Sequence, residues 1–351
     1  MDAVQKTDLS NSFEIASDRM SHRGSRSDFY FRPEPWIEEL VTRVENKLQL
    51  VARSDIHLLD VIGQYMLFGY AKRLRPLFVL LGQLMFSDKV TDSAVDCAAA
   101  AELIHCASLF HDDVIDEAGT RKGRRAANAV WGNKSAVIMG DHFFVLAYSL
   151  LAASRDLRLI DIFVETCRAL AEGVTLEIKH TNDLEITEET HLDIITRKTA
   201  TFFANAALTG GYLAGASDRE QDKLHEMGMN FGLAFQLSDD LLDLCADPAA
   251  TGKPRGMDLS SGMYTTSIIH GLKIDSKFSR ALSASISKGK LRENQVEEIA
   301  DMLRANGSLN YTGRLVAKYC DKAMGCLDEL PQGKANGAFH GLIRIIRDRE
   351  C

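Results

Sequence analysis

The chain has 351 residues, enough to bury a large core, because longer chains bury a greater share of their surface. Hydrophobic residues make up 46% of it and charged residues 26%, proportions that exclude a disordered or fibrous class. A formal charge of −8 at pH 7 argues against a nucleic-acid surface or a polybasic membrane patch.

Residues 1–32 mix acids (Asp2, Asp8, Glu14, Asp18) with bases (Lys6, Arg19, Arg23, Arg26). A secretory signal needs an apolar core and a transit peptide avoids acids, so this stretch reads as a flexible polar leader. From Pro35, suited to a first helical turn, the residues Trp36, Ile37, Leu40, Val41, Val44 and Leu48 fall at helical spacing. The six prolines leave residues 77–247 free of any, which predicts a long helical body. Within it the segments 98–110, 136–151, 162–178, 192–213 and 224–244 have the helical period, and several are apolar nearly all round. Period-two strands, internal repeats and Gly/Ser linkers do not stand out, so residues 33–351 are expected to form one all-helical bundle domain. No uninterrupted apolar run is long enough to span a bilayer. The seven cysteines lack zinc or CxxC spacing and read as reduced thiols of a soluble, cytoplasmic protein.

Two aspartate clusters carry the chemistry. Asp112, Asp113 and Asp116 follow the apolar run ending in Leu109-Phe110-His111, and Asp239, Asp240 and Asp243 follow Phe231–Ser238. On a helix, positions i, i+1 and i+4 put the first and last carboxylates on one face, a turn apart. Like charges at that spacing cost roughly 0.2–0.5 kcal/mol, so each cluster calls for a cation. All-oxygen ligands that leave room for water and phosphate suit Mg²⁺. One such cluster is equally compatible with a solvated acidic patch. Two, each inside an apolar helix where isolated charge is costly, are a far more specific signal.

Basic residues gather at Lys72-Arg73-Leu74-Arg75-Pro76, before an apolar helix, and at Arg121-Lys122-Gly123-Arg124-Arg125 after the first cluster. Ammonium and guanidinium groups there suit a diphosphate, although the first run alone fits a solvated charge run better. Lys198-Thr199 lies on a helix, and Lys253 follows the second cluster in Gly252-Lys253-Pro254. Ordered in this way from about Gly69 to Leu272, the motifs resemble the trans-isoprenyl diphosphate synthase (polyprenyl synthetase) family.

The resemblance implies an isoprenoid-synthase-type helical bundle, a homodimer and a Mg²⁺-dependent prenyltransferase that condenses isopentenyl diphosphate with an allylic diphosphate. It implies Mg²⁺ on Asp112, Asp116 and Asp239, with Asp113, Asp240 and Asp243 in support. Lys72, Arg75, His105 and Lys122 would bind isopentenyl diphosphate; for His105, a core histidine is the reading without the family. Arg121, Lys198 and Lys253 would grip the allylic diphosphate, with Thr199 and Gln236 facing the reacting carbons. Ala71, Lys122, Met263 and Ser267 depart from the family pattern, which usually has glycine, arginine, lysine and proline there.

Small residues at Ala107, Ser108 and 98–101 fit either a deep product channel that admits a long chain or close helix packing. Rival readings are an HD-type phosphohydrolase on His111-Asp112, a terpene cyclase, and a catalytically silent subunit of a heteromeric prenyltransferase. The phosphohydrolase would need further histidines, the cyclase has no use for Lys72, Arg75 and a second aspartate cluster, and a silent subunit would be expected to lose aspartates.

Overall fold

The computed structural model describes residues 34–67, 72–121, 123–245, 255–287 and 291–349. The expected leader, Lys122 and Lys253 lie outside the described residues. The elements in chain order are α1 (Pro35–Val51), α2 (His57–Leu67), α3 (Leu74–Leu84), α4 (Asp92–Ile115) and a short antiparallel pair β1 (Thr120–Arg121) and β2 (Arg124–Arg125). They continue with α5 (Ala127–Trp131), α6 (Asn133–Ala153), α7 (Leu157–Lys179), α8 (Glu188–Ile195), a π turn (Thr196–Ala200), α9 (Thr201–Leu213) and α10 (Asp218–Cys245). The last are α11 (Met257–Ser260), α12 (Thr266–Ile274), α13 (Ser276–Ile286), α14 (Glu293–Ala305), α15 (Ser308–Asp328) and α16 (Lys334–Arg347). The fold is all-α, as the proline-free body and helical period require.

α4 and α10, the two longest described helices, carry the two aspartate clusters at their C-terminal ends. α4 starts where the Thr91 hydroxyl accepts the Ala94 N–H, and its run Ala98–Ala101 is fully buried. Four phenylalanines lock the centre. Phe78 of α3 lies 4.9 Å from Phe203 of α9, 4.5 Å from Phe231 of α10 and 5.1 Å from Phe339 of α16, centroid to centroid. α3 and α9 approach so closely at Gly82 and Gly210 that a methyl on either would collide with backbone of the other helix. A second core joins Ile186, Leu241, Leu259, Ile268, Phe278 and Leu303.

Three expectations change. The helix expected over 192–213 is broken by a π turn, because one extra residue is absorbed there while the Thr201 hydroxyl bonds the Thr196 carbonyl at 2.9 Å. A two-residue strand pair closes around Gly123, too short to leave any alternation in sequence. Cys97, Cys106, Cys320 and Cys326 are buried thiols, but Cys245 is disulfide-bonded. No other cysteine lies near it in the chain, so spacing carried no sign of that bond.

Two described helices, α4 and α6, are long and apolar enough to cross a membrane by length and composition. α4 is largely enclosed in the bundle, whereas α6 leaves Val137, Ile138 and Val145 exposed.

Candidate active site

The end of α4 sorts its three aspartates. Asp113 turns inward and is fully buried; the Arg121 Nε donates to its Oδ1 at 2.6 Å, and its Oδ2 is buried without a hydrogen-bond partner among the described residues. The Asn128 side chain donates to the Asp113 carbonyl at 2.8 Å, which ties α5 to the same point. Asp112 is half-buried and Asp116, the helix C-cap, is exposed. Burial pushes the Asp112 carboxyl up, Lys198 and Arg121 pull it back, and Asp116 and Glu177 push it up again.

α10 divides its cluster in the same way. Asp240 is buried: the Gln236 amide donates to its Oδ1 at 2.8 Å and the His191 Nε2 lies 3.2 Å from its Oδ2. The Thr199 hydroxyl donates to the Gln236 Oε1 at 2.9 Å, so Thr199, Gln236, Asp240 and His191 form one continuous chain. The Asp243 carboxylate accepts the Met257 and Asp258 N–H groups at 3.1 and 3.2 Å and so anchors the start of α11. Asp239 stays partly exposed, and the Arg349 Nη1 donates to its Oδ1 at 2.6 Å. Loss of water around Asp239 pushes its carboxyl up against the pull of Arg349 and Lys72.

The cations behave less uniformly. Lys72 is exposed and its charge reaches Asp239. Arg73 takes a left-handed backbone (φ 51°) and buries its guanidinium, Nη1 donating to the Glu102 Oε1 at 2.6 Å and Nη2 to the Leu67 carbonyl. Arg75 lies over the Phe202 and Phe203 rings at 5.1 and 4.9 Å. Burial brings Arg75 down to about 10, with Glu102, Cys106 and Asp239 opposing, so it remains charged at neutral pH. His105 is half-buried on α4, two turns before Asp112. Lys198, on the π turn, contacts Glu177 of α7, and its charge acts on Asp112 and on Asp258. Burial lifts Asp258 well above the ordinary carboxylate range, with Asp243, Asp240 and Glu177 adding to the rise.

One departure from the family pattern has a local explanation: the buried Ser267 hydroxyl pairs with the Thr312 hydroxyl at 2.7 Å. Nothing in the structure explains Met263. Glu102, His191, Glu177 and Arg349 are contacts that sequence reasoning missed. Glu102, a lone carboxylate amid alanine and leucine, carried a detectable signal; the other three are ordinary residues in the sequence.

Among the described residues no three histidines, cysteines or carboxylates are grouped closely enough to hold an ion by themselves. The oxygen-only donors, the upward push on Asp112 and Asp239 and the unpartnered Asp113 oxygen nevertheless suit a hard divalent cation whose shell a diphosphate completes. The pattern of the polyprenyl synthetase family matches residues 56–303. The chain belongs to that family. This polyprenyl synthetase is 34% identical to the octaprenyl diphosphate synthase of Escherichia coli (strain K12) over 298 residues, 85% of this chain and 92% of that one. It is 32% identical to the all-trans-nonaprenyl-diphosphate synthase (geranyl-diphosphate specific) of Rhodobacter capsulatus over 87% of this chain and 91% of that one. A crystal structure of polyprenyl synthase from Caulobacter crescentus, complexed with calcium and isoprenyl diphosphate, superposes with a TM-score of 0.85. That pair is 28% identical over 94% of this chain and 100% of the other. The polyprenyl synthetase is therefore a trans-prenyltransferase that makes a polyprenyl diphosphate.

Proposed function

We propose that this polyprenyl synthetase condenses isopentenyl diphosphate with an allylic diphosphate in a Mg²⁺-assisted reaction and releases a long-chain product. The observation that carries this reading is Lys198, whose charge acts on Asp112 of the first cluster and on Asp258 beside the second. Asp112, Asp116 and Asp239, which keep part of their side chains exposed, would hold the ions, and Asp113, Asp240 and Asp243 would position them. The calcium and isoprenyl diphosphate of the Caulobacter crescentus structure support a divalent ion beside a diphosphate. Bound Mg²⁺ supplies charge neutralisation for the leaving diphosphate.

Arg121, Lys198 and Lys253 grip the allylic diphosphate while its C–O bond ionises. Lys72, Arg75, His105 and Lys122 hold isopentenyl diphosphate so that its double bond attacks the cation. Thr199 and Gln236, bonded to one another, orient the reacting carbons, and the proton lost from the adduct leaves with the released diphosphate. The apolar wall of Phe202, Phe203 and Phe231 excludes the water that would quench the cation.

The relatives named for octaprenyl and nonaprenyl products favour a long chain, and the small residues Ala107 and Ala98–Ala101 along α4 suit one. The apolar strip Val137, Ile138 and Val145 on α6 favours a homodimer. Five free thiols among the described residues suit the cytoplasm, with the bonded Cys245 as the exception among them.

The test is incubation of purified protein with Mg²⁺, labelled isopentenyl diphosphate and, separately, dimethylallyl, geranyl, farnesyl or geranylgeranyl diphosphate, followed by sizing of the dephosphorylated products. A ladder ending at one long prenol is expected from the chain alone. Asp112→Ala and Asp239→Ala should each lose several orders of magnitude in rate with an unchanged circular dichroism spectrum. Wild-type rates in those variants would refute the assignment, and activity only after a second chain is added would point to a heteromeric enzyme.

A further inference from the structure

Glu177 belongs to neither aspartate cluster and has no part in the roles assigned above. It stands in the last turn of α7, and its Oε2 contacts the Lys198 Nζ, with the two side chains 24% and 28% exposed. The pair is set into the junction between two elements. One turn before Glu177, a Cβ on Gly173 would lie 2.7 Å from the Lys198 amide nitrogen, so α7 and the π turn meet backbone to backbone. The Glu177 charge also reaches Asp112 at the end of α4 and Asp258 at the start of α11. It thus adds to an acidic surround in which the Lys198 ammonium is held by hydrogen bonding to Glu177 and attracted by Asp112 and Asp116.

A diphosphate that needs Lys198 must therefore draw it from a carboxylate already in contact with it. A bare diphosphate gains little from that exchange, because it meets Glu177, Asp112 and Asp116 as like charges. A diphosphate that arrives with a divalent cation meets less repulsion and gains the ammonium in addition. We propose that Glu177 is a positioning residue that holds Lys198 as an internal ion pair in the unloaded cleft and thereby makes diphosphate capture depend on the metal. The inference rests on the reading of Lys198 as a grip for the allylic diphosphate. Glu177→Gln keeps an acceptor for the Lys198 Nζ and removes only the competing charge.

The experiment measures inorganic pyrophosphate binding by calorimetry, first in EDTA and then in saturating Mg²⁺. The proteins are the wild type, Glu177→Gln, Lys198→Ala and the double variant, each checked for folding by circular dichroism. In EDTA, Glu177→Gln should bind about five-fold more tightly than wild type, the scale of one partly exposed ion pair, and the gap should shrink in Mg²⁺. In the Lys198→Ala background the residue at position 177 should make no difference. Equal affinities of wild type and Glu177→Gln in EDTA, or binding by neither, overturn the proposal. So does a gain of the same size without Lys198, which would mean general repulsion. If Lys198→Ala alone leaves pyrophosphate binding unchanged in Mg²⁺, the reading of Lys198 fails. If it weakens binding while Glu177→Gln matches wild type, only the role of Glu177 fails.

Discussion

Arg73 stands between Lys72 and Arg75 in the sequence, yet its guanidinium turns into the core and pairs with Glu102 of α4. Both side chains are nearly fully enclosed and the backbone at Arg73 is left-handed, while the charges of its neighbours Lys72 and Arg75 reach Asp239. Arg73→Met leaves the Glu102 carboxylate buried without its partner, and breaking such a pair costs about 3–5 kcal/mol. Denaturant unfolding should show that loss. At a temperature where the variant is still folded, KM for isopentenyl diphosphate should rise more than kcat falls, because Lys72 and Arg75 lose their mount. An unchanged midpoint and KM would remove Arg73 from this role. The basic run was legible as a diphosphate site only through the ordered motifs that resemble the family, since alone it fits a solvated charge run better. Which of its members faces the ligand was not, because that depends on one backbone angle and a carboxylate 29 residues away.

Helices α3 and α9 cross at their glycines, and the same substitution should have opposite signs at two glycine positions. Gly210→Ala forces a methyl against the Val79 carbonyl, and overpacking of that kind costs about 1–3 kcal/mol. Gly313→Ala, inside α15 with nothing within 4 Å of the new Cβ, should stabilise by about 0.4–1 kcal/mol through the unfolded chain. Thermal or urea unfolding of the two variants checks both signs, and destabilisation by Gly313→Ala would contradict the open space there. The π turn belongs to this scale as well. Helical period marked 192–213 as one helix, and it could not reveal one inserted residue, since apolar side chains on both sides of the break still reach the core.

In the whole molecule, α6 packs one face on α4 and leaves Val137, Ile138 and Val145 in solvent. A second copy laid over that strip accounts for an apolar surface that a monomer would leave exposed. On the proposed homodimer, Ile138→Asp or Val145→Asp should yield a monomer in sedimentation velocity, with the helical content unchanged. A monomeric wild-type protein, or a dimer indifferent to both substitutions, would place the interface elsewhere or remove it.

Helix period, proline placement and the paired aspartate spacing depend only on neighbours within a turn or two, so the all-α class and the two carboxylate helices could be read from the chain itself, while the prenyltransferase chemistry came from the resemblance of the ordered motifs to the family. Whether a carboxylate faces the cleft or the core depends on contacts made across the bundle. Asp113 meets Arg121, Asp240 meets His191 and Gln236, and Asp243 meets the first turn of α11. Lys198 was legible as a cation on a helix, whereas its pairing with Glu177 arises only because α7 and the π turn close to backbone contact. Local pattern thus specifies which groups the enzyme possesses, and long-range packing selects the direction in which each one points.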